Sequence, residues 1–125
     1  MKKKILLIIP MIVFIGIFIL FRTVFFIGYI PSASMEPTIK EKSIVFGMRL
    51  FGELKVGDVI VFEHDDRVMV KRIAAVGGET ITEGGEIYAI PETCFFVLGD
   101  NKGNSWDSRF WENPFVDRGE IIAKL

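Results

Sequence analysis

Three segments of this 125-residue chain carry side chains able to do chemistry together. Ser34 lies in Pro31-Ser32-Ala33-Ser34-Met35-Glu36-Pro37, where two prolines fix φ and withhold backbone donors; a loop so stiffened can present a hydroxyl at a constant angle, although the stretch taken alone also suits an ordinary turn. Lys71 interrupts the apolar run Val68 to Val76 together with Arg72. With the two-residue period of a strand, Lys71 shares its face with Met69, Ile73 and Ala75, while Arg72 points the other way. An ammonium on an apolar face loses hydration, and its pKa falls. Bringing a lysine from about 10.4 to near 7 or 8 costs roughly 4 kcal/mol. That cost is intelligible for a neutral general base, although a strand lysine also commonly snorkels to water at a sheet edge. The third segment runs from Gly99-Asp100-Asn101 through Ser105-Trp106-Asp107-Ser108-Arg109 and offers a polar brace, in a composition that also suits an ordinary turn.

Rival chemistries are limited by count. His64 is the only histidine and Cys94 the only cysteine, which excludes a Cys/His zinc site, a His-Glu-x-x-His metalloprotease and an intrachain disulfide. No metal or cofactor is implied. A Ser-His-Asp triad would have to use His64, whose setting in His64-Asp65-Asp66-Arg67 reads as a solvent-exposed hairpin tip, so Lys71 is the favoured base. Cys94, in Cys94-Phe95-Phe96-Val97-Leu98, reads as a buried apolar thiol. Net charge is −1, from 15 basic and 16 acidic residues. Setting aside Lys2, Lys3 and Lys4 leaves 12 basic against 16 acidic, a mildly acidic body that argues against nucleic acid as a partner.

The elements that must position these groups are an anchor and a sheet. Ile5 to Phe21 carries no charge; at 1.5 Å per residue it spans roughly 25 Å, near the lower limit for a bilayer core. The Lys2–Lys4 cluster sets the N-terminus in the cytoplasm and sends the rest outward. A cleavable secretory signal is the competing reading, with Ser32-Ala33-Ser34 offering small residues. The long apolar run and the intervening Arg22 and Val24-Phe25-Phe26-Ile27 favour an uncleaved anchor. Beyond it, short apolar or alternating runs at 23–29, 43–46, 58–62, 68–76, 86–89 and 94–98 are separated by Gly, Asp and Pro turns. The tail 120–124 closes the sheet, and Lys40-Glu41-Lys42 suits a helical turn. The fold expected is therefore mainly β: residues 1–22 as cytoplasmic tip and transmembrane anchor, and residues 23–125 as one mostly antiparallel extracytoplasmic domain.

The order of these segments resembles that of type I signal peptidases, membrane-bound serine–lysine endopeptidases. The match runs through Pro31 to Thr38, Gly57-Asp58-Val59-Ile60-Val61-Phe62, Lys71-Arg72-Ile73 and Gly99 to Arg109. By position, the resemblance implies Ser34 as nucleophile, Lys71 as general base, and the Ser34 N–H with the Ser32 hydroxyl as oxyanion hole. It implies that Ser105 hydrogen-bonds and orients the lysine amine. Asp107 and Arg109 brace the site, with Arg72 nearby and Asp100 supporting the loop. Substrate pockets fall around Ile30, Pro31, Met35, Met69 and Val70. Ala33 stands where the family often has glycine, Lys102 where arginine is common, and Val76-Gly77-Gly78-Glu79 departs from the usual turn. With 27 residues between Lys71 and Gly99, the accessory domain of larger members is expected to be missing.

The implied partners are signal-peptide-bearing preproteins and a lipid bilayer; oligomeric state is not legible. Alternatives are a specialised conjugative-transfer peptidase maturing one pilin-like substrate, and a non-enzymatic, membrane-tethered β module. Phe25, Phe26, Ile27, Tyr29 and Ile30 suit either the membrane interface or the core.

Overall fold

The computed structural model describes all residues from Met1 to Leu125. The uncharged N-terminal run forms one helix, α1 (Lys2–Val24), with no buried residue and Pro10 inside it. It is long and apolar enough to cross a membrane. The helix continues two residues past Arg22, with the Phe25 N–H bonding to the Phe21 carbonyl. The two phenylalanine rings pack with centroids 4.7 Å apart. Strand β1 (Phe25–Tyr29) then follows without a linker, so the domain hangs directly from the anchor.

Every strand pair is antiparallel. A seven-stranded sheet has the order β1-β2-β9-β3-β4-β7-β8, built from β1, β2 (Ile44–Met48), β3 (Val59–His64), β4 (Arg67–Val76), β7 (Cys94–Leu98), β8 (Val116–Asp117) and β9 (Ile121–Lys124). Strands β5 (Thr80–Glu83) and β6 (Glu86–Ala89) form a separate hairpin. The sequence pattern missed β5 and β8. Both are short, and β5 reads Thr-Ile-Thr-Glu, with a single apolar residue. The Lys40–Lys42 stretch is a turn with Lys42 at φ 65°, not a helix.

The main core gathers Leu54, Ile60, Phe62, Ile73, Phe95, Val97, Trp111 and Val116. Ala75, Ile90, Phe96 and Leu98 form a smaller one on the opposite face of β7. The register between β4 and β7 shifts between Ile73 and Ala75. That irregularity turns Ala75 to the second core, so it does not share the face of Lys71 as strict alternation predicted. Ile73 and Met69 do pack with the main core.

Two further expectations are corrected. His64 is not at an exposed tip: it ends β3, is 2% exposed and stacks on Trp111 at 4.5 Å. Its Nδ1 lies 2.8 Å from Glu120 Oε2 and its Nε2 3.0 Å from the Asn113 carbonyl. The tip is Asp65-Asp66 alone, both at positive φ as a tight two-residue hairpin requires. Cys94 is half-buried rather than fully buried, because its side chain lies at the β8 edge near Asp117.

Candidate active site

Ser34 and Lys71 meet. The Lys71 Nζ donates a 2.7 Å hydrogen bond to Ser34 Oγ, and both residues are buried, at 5% and 7% exposure. β4 delivers the lysine from the core face, where its register partner on β3 is Ile60. Burial pushes the Lys71 amine below its ordinary value, while the negative charge of Asp107 pulls it part of the way back. The lowered value favours the uncharged amine relative to that of an exposed lysine.

Ser34 opens a compact turn in which Met35 is buried and the Ile39 N–H bonds to the Met35 carbonyl. The Ser34 N–H donates to no backbone or side-chain acceptor of the chain. The Ser32 hydroxyl lies 3.3 Å from Ser34 Oγ, on the same side of the loop. A free N–H beside a hydroxyl is the pair of donors that an oxyanion needs.

The brace is a layered network. Arg72 forms a two-pronged pair with Asp100, at 2.8 and 2.7 Å, and also donates to the Gly57 carbonyl. These bonds hold Asp100 below the usual carboxylate range. Asp107 is fully buried. Burial alone would push its carboxyl up, but hydrogen bonds from Arg109, the Gly99 N–H and Ser105 prevail and hold it low. The Ser105–Lys71 hydrogen bond implied by the resemblance is not formed. Ser105 spends its proton on Asp107 Oδ2 at 2.8 Å, because a buried carboxylate needs every available donor.

Two residues of the third segment had no role of their own in the sequence reading. Asn101 donates its N–H to the Ser34 carbonyl at 2.9 Å and its side-chain amide to the Ala33 carbonyl at 3.1 Å. It thereby clamps the loop that carries the hydroxyl. Gly99 lets this clamp close: a Cβ there would stand 2.0 Å from Ser105 Oγ and 2.7 Å from the Ser34 carbonyl oxygen. Only the pattern Gly-Asp-Asn beside a polar turn hinted at such a role.

A cleft of about 120 Å³ opens beside Ser34 and is lined by Ile30, Pro31, Met35, Met69 and Val70 together with Ser32 and Lys71. Phe26 and Gly28 also line it. Two strand edges border it. β1 pairs only with β2, and β4 residues before Arg72 pair only with β3, because β7 begins its pairing at Arg72.

The profile of the family described as signal peptidase, peptidase S26, matches residues 1–89 and 82–125. The chain belongs to the peptidase S26 signal peptidase family. Within it, this chain is 29% identical over 132 residues to a signal peptidase I of Leptolyngbya laminosa, covering 77% of the chain and 64% of that protein. It is 27% identical to signal peptidase I S of Bacillus subtilis, over 73% of the chain and 70% of that protein. It is 31% identical to mouse mitochondrial inner membrane protease subunit 1, over 74% and 64%. The chain spans less than two thirds of the Leptolyngbya and Synechocystis relatives' own length, at 64%, 59% and 66%. The antiparallel sheet and the apolar N-terminal helix agree with membership of this family.

Proposed function

We propose that this protein is a membrane-anchored serine endopeptidase that removes N-terminal signal peptides from exported preproteins through an acyl-enzyme. The observation that carries this reading is the 2.7 Å contact between a buried amine, its pKa lowered by desolvation, and a buried hydroxyl. A purely structural lysine gains nothing from that position and loses hydration there.

In this mechanism neutral Lys71 takes the Ser34 proton as Oγ attacks the scissile carbonyl. The oxyanion forms against the Ser34 N–H and the Ser32 hydroxyl, a preorganised arrangement worth several kcal/mol per donor. The Lys71 ammonium then gives its proton to the leaving amine as the C–N bond breaks. Water, deprotonated by the same lysine, cleaves the ester and regenerates both groups. Asn101, Asp100 and Arg72 hold the nucleophile loop, and Asp107 with Arg109 and Ser105 holds the opposite wall. The acyl segment lies extended along the free edges of β1 and β4, by strand addition. A cleft of about 120 Å³ accepts only small side chains at the −1 and −3 positions and rejects large ones by overlap.

Lys2, Lys3 and Lys4 orient α1 with its start in the cytoplasm and the sheet outside. On β1, Phe25, Ile27 and Tyr29 are exposed, and across the register they meet exposed Met48, Phe46 and Ile44 of β2. This apolar face continues from the end of the membrane helix and rests on the lipid interface. Phe26 and Ile30 turn the other way, into the cleft.

Purified full-length protein in detergent is the test. Ser34→Ala and Lys71→Ala should each abolish cleavage of a preprotein while leaving the fold intact. Lys71→Arg should not rescue it, since arginine stays charged. A Lys71→Ala enzyme with near-normal rates would discard the dyad. Cleavage of several unrelated preproteins distinguishes a general peptidase from one dedicated to a single substrate.

A further inference from the structure

A second depression adjoins the dyad, and its part beyond Ser34 and Lys71 has no role in the mechanism above. It is an open groove of about 740 Å³ that shares Ser32, Ser34, Val68, Met69 and Lys71 with the acyl cleft and extends past them to Arg67, Trp106 and Phe110. Its walls carry Trp106, Phe110 and Val68, which are 44%, 60% and 61% exposed, an unusual density of uncovered apolar side chains beside a buried polar centre. The Arg67 guanidinium lies over the Trp106 ring, 4.9 Å from its centroid, and the Trp106 ring is held edge-on by Trp111 at 5.8 Å. No carboxylate lines the groove, and Asp65 and Asp66 stand outside it on the hairpin tip.

We propose that this groove binds the first two to four residues on the leaving-amine side of the scissile bond, and that Arg67 and Trp106 select among them. The proposal rests on the peptidase reading. Direction follows from the anchor. α1 passes straight into β1, and β1 walls the enclosed cleft, so a segment arriving from the bilayer enters on that side. The chain that leaves must then cross Ser34 and Lys71 and emerge through the other opening that they share. It is also the only one of the two with room for an arbitrary following sequence. An extended peptide advances about 3.3 Å per residue, so two to four residues lie within reach of Trp106 and Phe110. Trp106 offers a rigid apolar platform at low entropic cost. A guanidinium with no facing carboxylate favours Asp or Glu in the departing segment and disfavours Lys or Arg.

The experiment uses the full chain in detergent micelles and a matched set of quenched peptides. All share one signal-peptide end and differ only in carrying Glu, Gln or Lys at the second and third positions after the cut. The wild type should favour Glu over Lys by about threefold in kcat/KM, a size suited to an exposed charge pair. Arg67→Glu should invert that order, and added salt should flatten both preferences. Trp106→Ala should raise KM about fivefold for these peptides with little change in kcat, since it touches no reacting atom. A Glu-to-Lys ratio unchanged by Arg67→Glu overturns the groove while leaving the peptidase standing. No cleavage of any peptide by wild type, in parallel with the Ser34→Ala control, overturns both. A merely structural Arg67 would lower all rates together and leave the ratio untouched, which also counts against the proposal.

Discussion

Gly99→Ala adds one methyl group at the closest approach in the site, and its effect can be worked out from distances. The new Cβ would lie 2.0 Å from Ser105 Oγ, 2.5 Å from Ser105 Cβ and 2.7 Å from the Ser34 carbonyl oxygen. Relief to an ordinary contact of about 3.4 Å therefore asks Ser105 to retreat by about 1.4 Å and the Ser34 carbonyl by about 0.7 Å. The Ser105 hydroxyl can swing away only by leaving Asp107, whose buried carboxylate then loses one of its donors, and the Ser105 Cβ, fixed to the backbone, does not move with it. The Ser34 carbonyl cannot rotate, because the Asn101 N–H holds it at 2.9 Å. The movement is therefore passed to the nucleophile itself. Overpacking of this kind costs about 1–3 kcal/mol in stability. A displacement approaching 1 Å at a reacting group costs about 100-fold in rate. The assay is kcat/KM for preprotein cleavage beside a thermal melt, with Gly52→Ala as control, a glycine with nothing within 4 Å of its would-be Cβ. The expected result is a folded Gly99→Ala enzyme with a loss near 100-fold and a Gly52→Ala enzyme at wild-type rate. A Gly99→Ala rate within about threefold of wild type would refute the clamp as the reason the hydroxyl is aligned.

Lys71→Met should remove activity yet raise stability by about 1–2 kcal/mol at neutral pH, because a desolvated amine burdens the fold. The folded amine titrates lower than the unfolded one, so wild-type stability rises with pH between that lowered value and the ordinary 10.5. Melts of the two proteins should accordingly converge across that window; a constant difference would count against a lowered Lys71. In the wild-type rate profile, kcat/KM should rise with pH along a limb below 10.5 as the amine becomes neutral, and a limb at or above that value would contradict the base assignment. His64→Ala should cost about 2–4 kcal/mol in urea melts, since it leaves Glu120 and Trp111 without their packing partner, while the folded fraction keeps its turnover. A loss as deep as that of Ser34→Ala would restore the histidine to the chemistry. Ile27→Ser with Phe46→Ser should slow cleavage about fivefold in proteoliposomes and hardly at all in micelles, because both side chains point away from the cleft. Equal losses in the two media would argue against lipid contact.

Much of this protein is local chemistry and was readable from the chain. The uncharged run before Arg22 has to be a helix, since a bilayer-length apolar segment can satisfy its backbone in few other ways. Glycine and aspartate turns cut the rest into strands, and β6 and β7 appear where alternation and β-branching place them. The partnership of Ser34 and Lys71 was legible through family order, and a lysine within Val68–Val76 already signalled desolvation. What the chain could not reveal were contacts between residues far apart in sequence. His64 looks exposed beside Asp65 and Asp66; only the arrival of Glu120, Asn113 and Trp111 buries it. Ser105 carries a free hydroxyl on paper, and its proton goes to Asp107 because that carboxylate is sealed from water. Strict alternation put Ala75 beside Lys71, but a shift in pairing with β7 turned it over. Period, hydropathy and turn chemistry act over a few residues and survive in any context. Hydrogen-bond allegiance and strand register are competitions among distant groups, and those are decided only when the sheet closes.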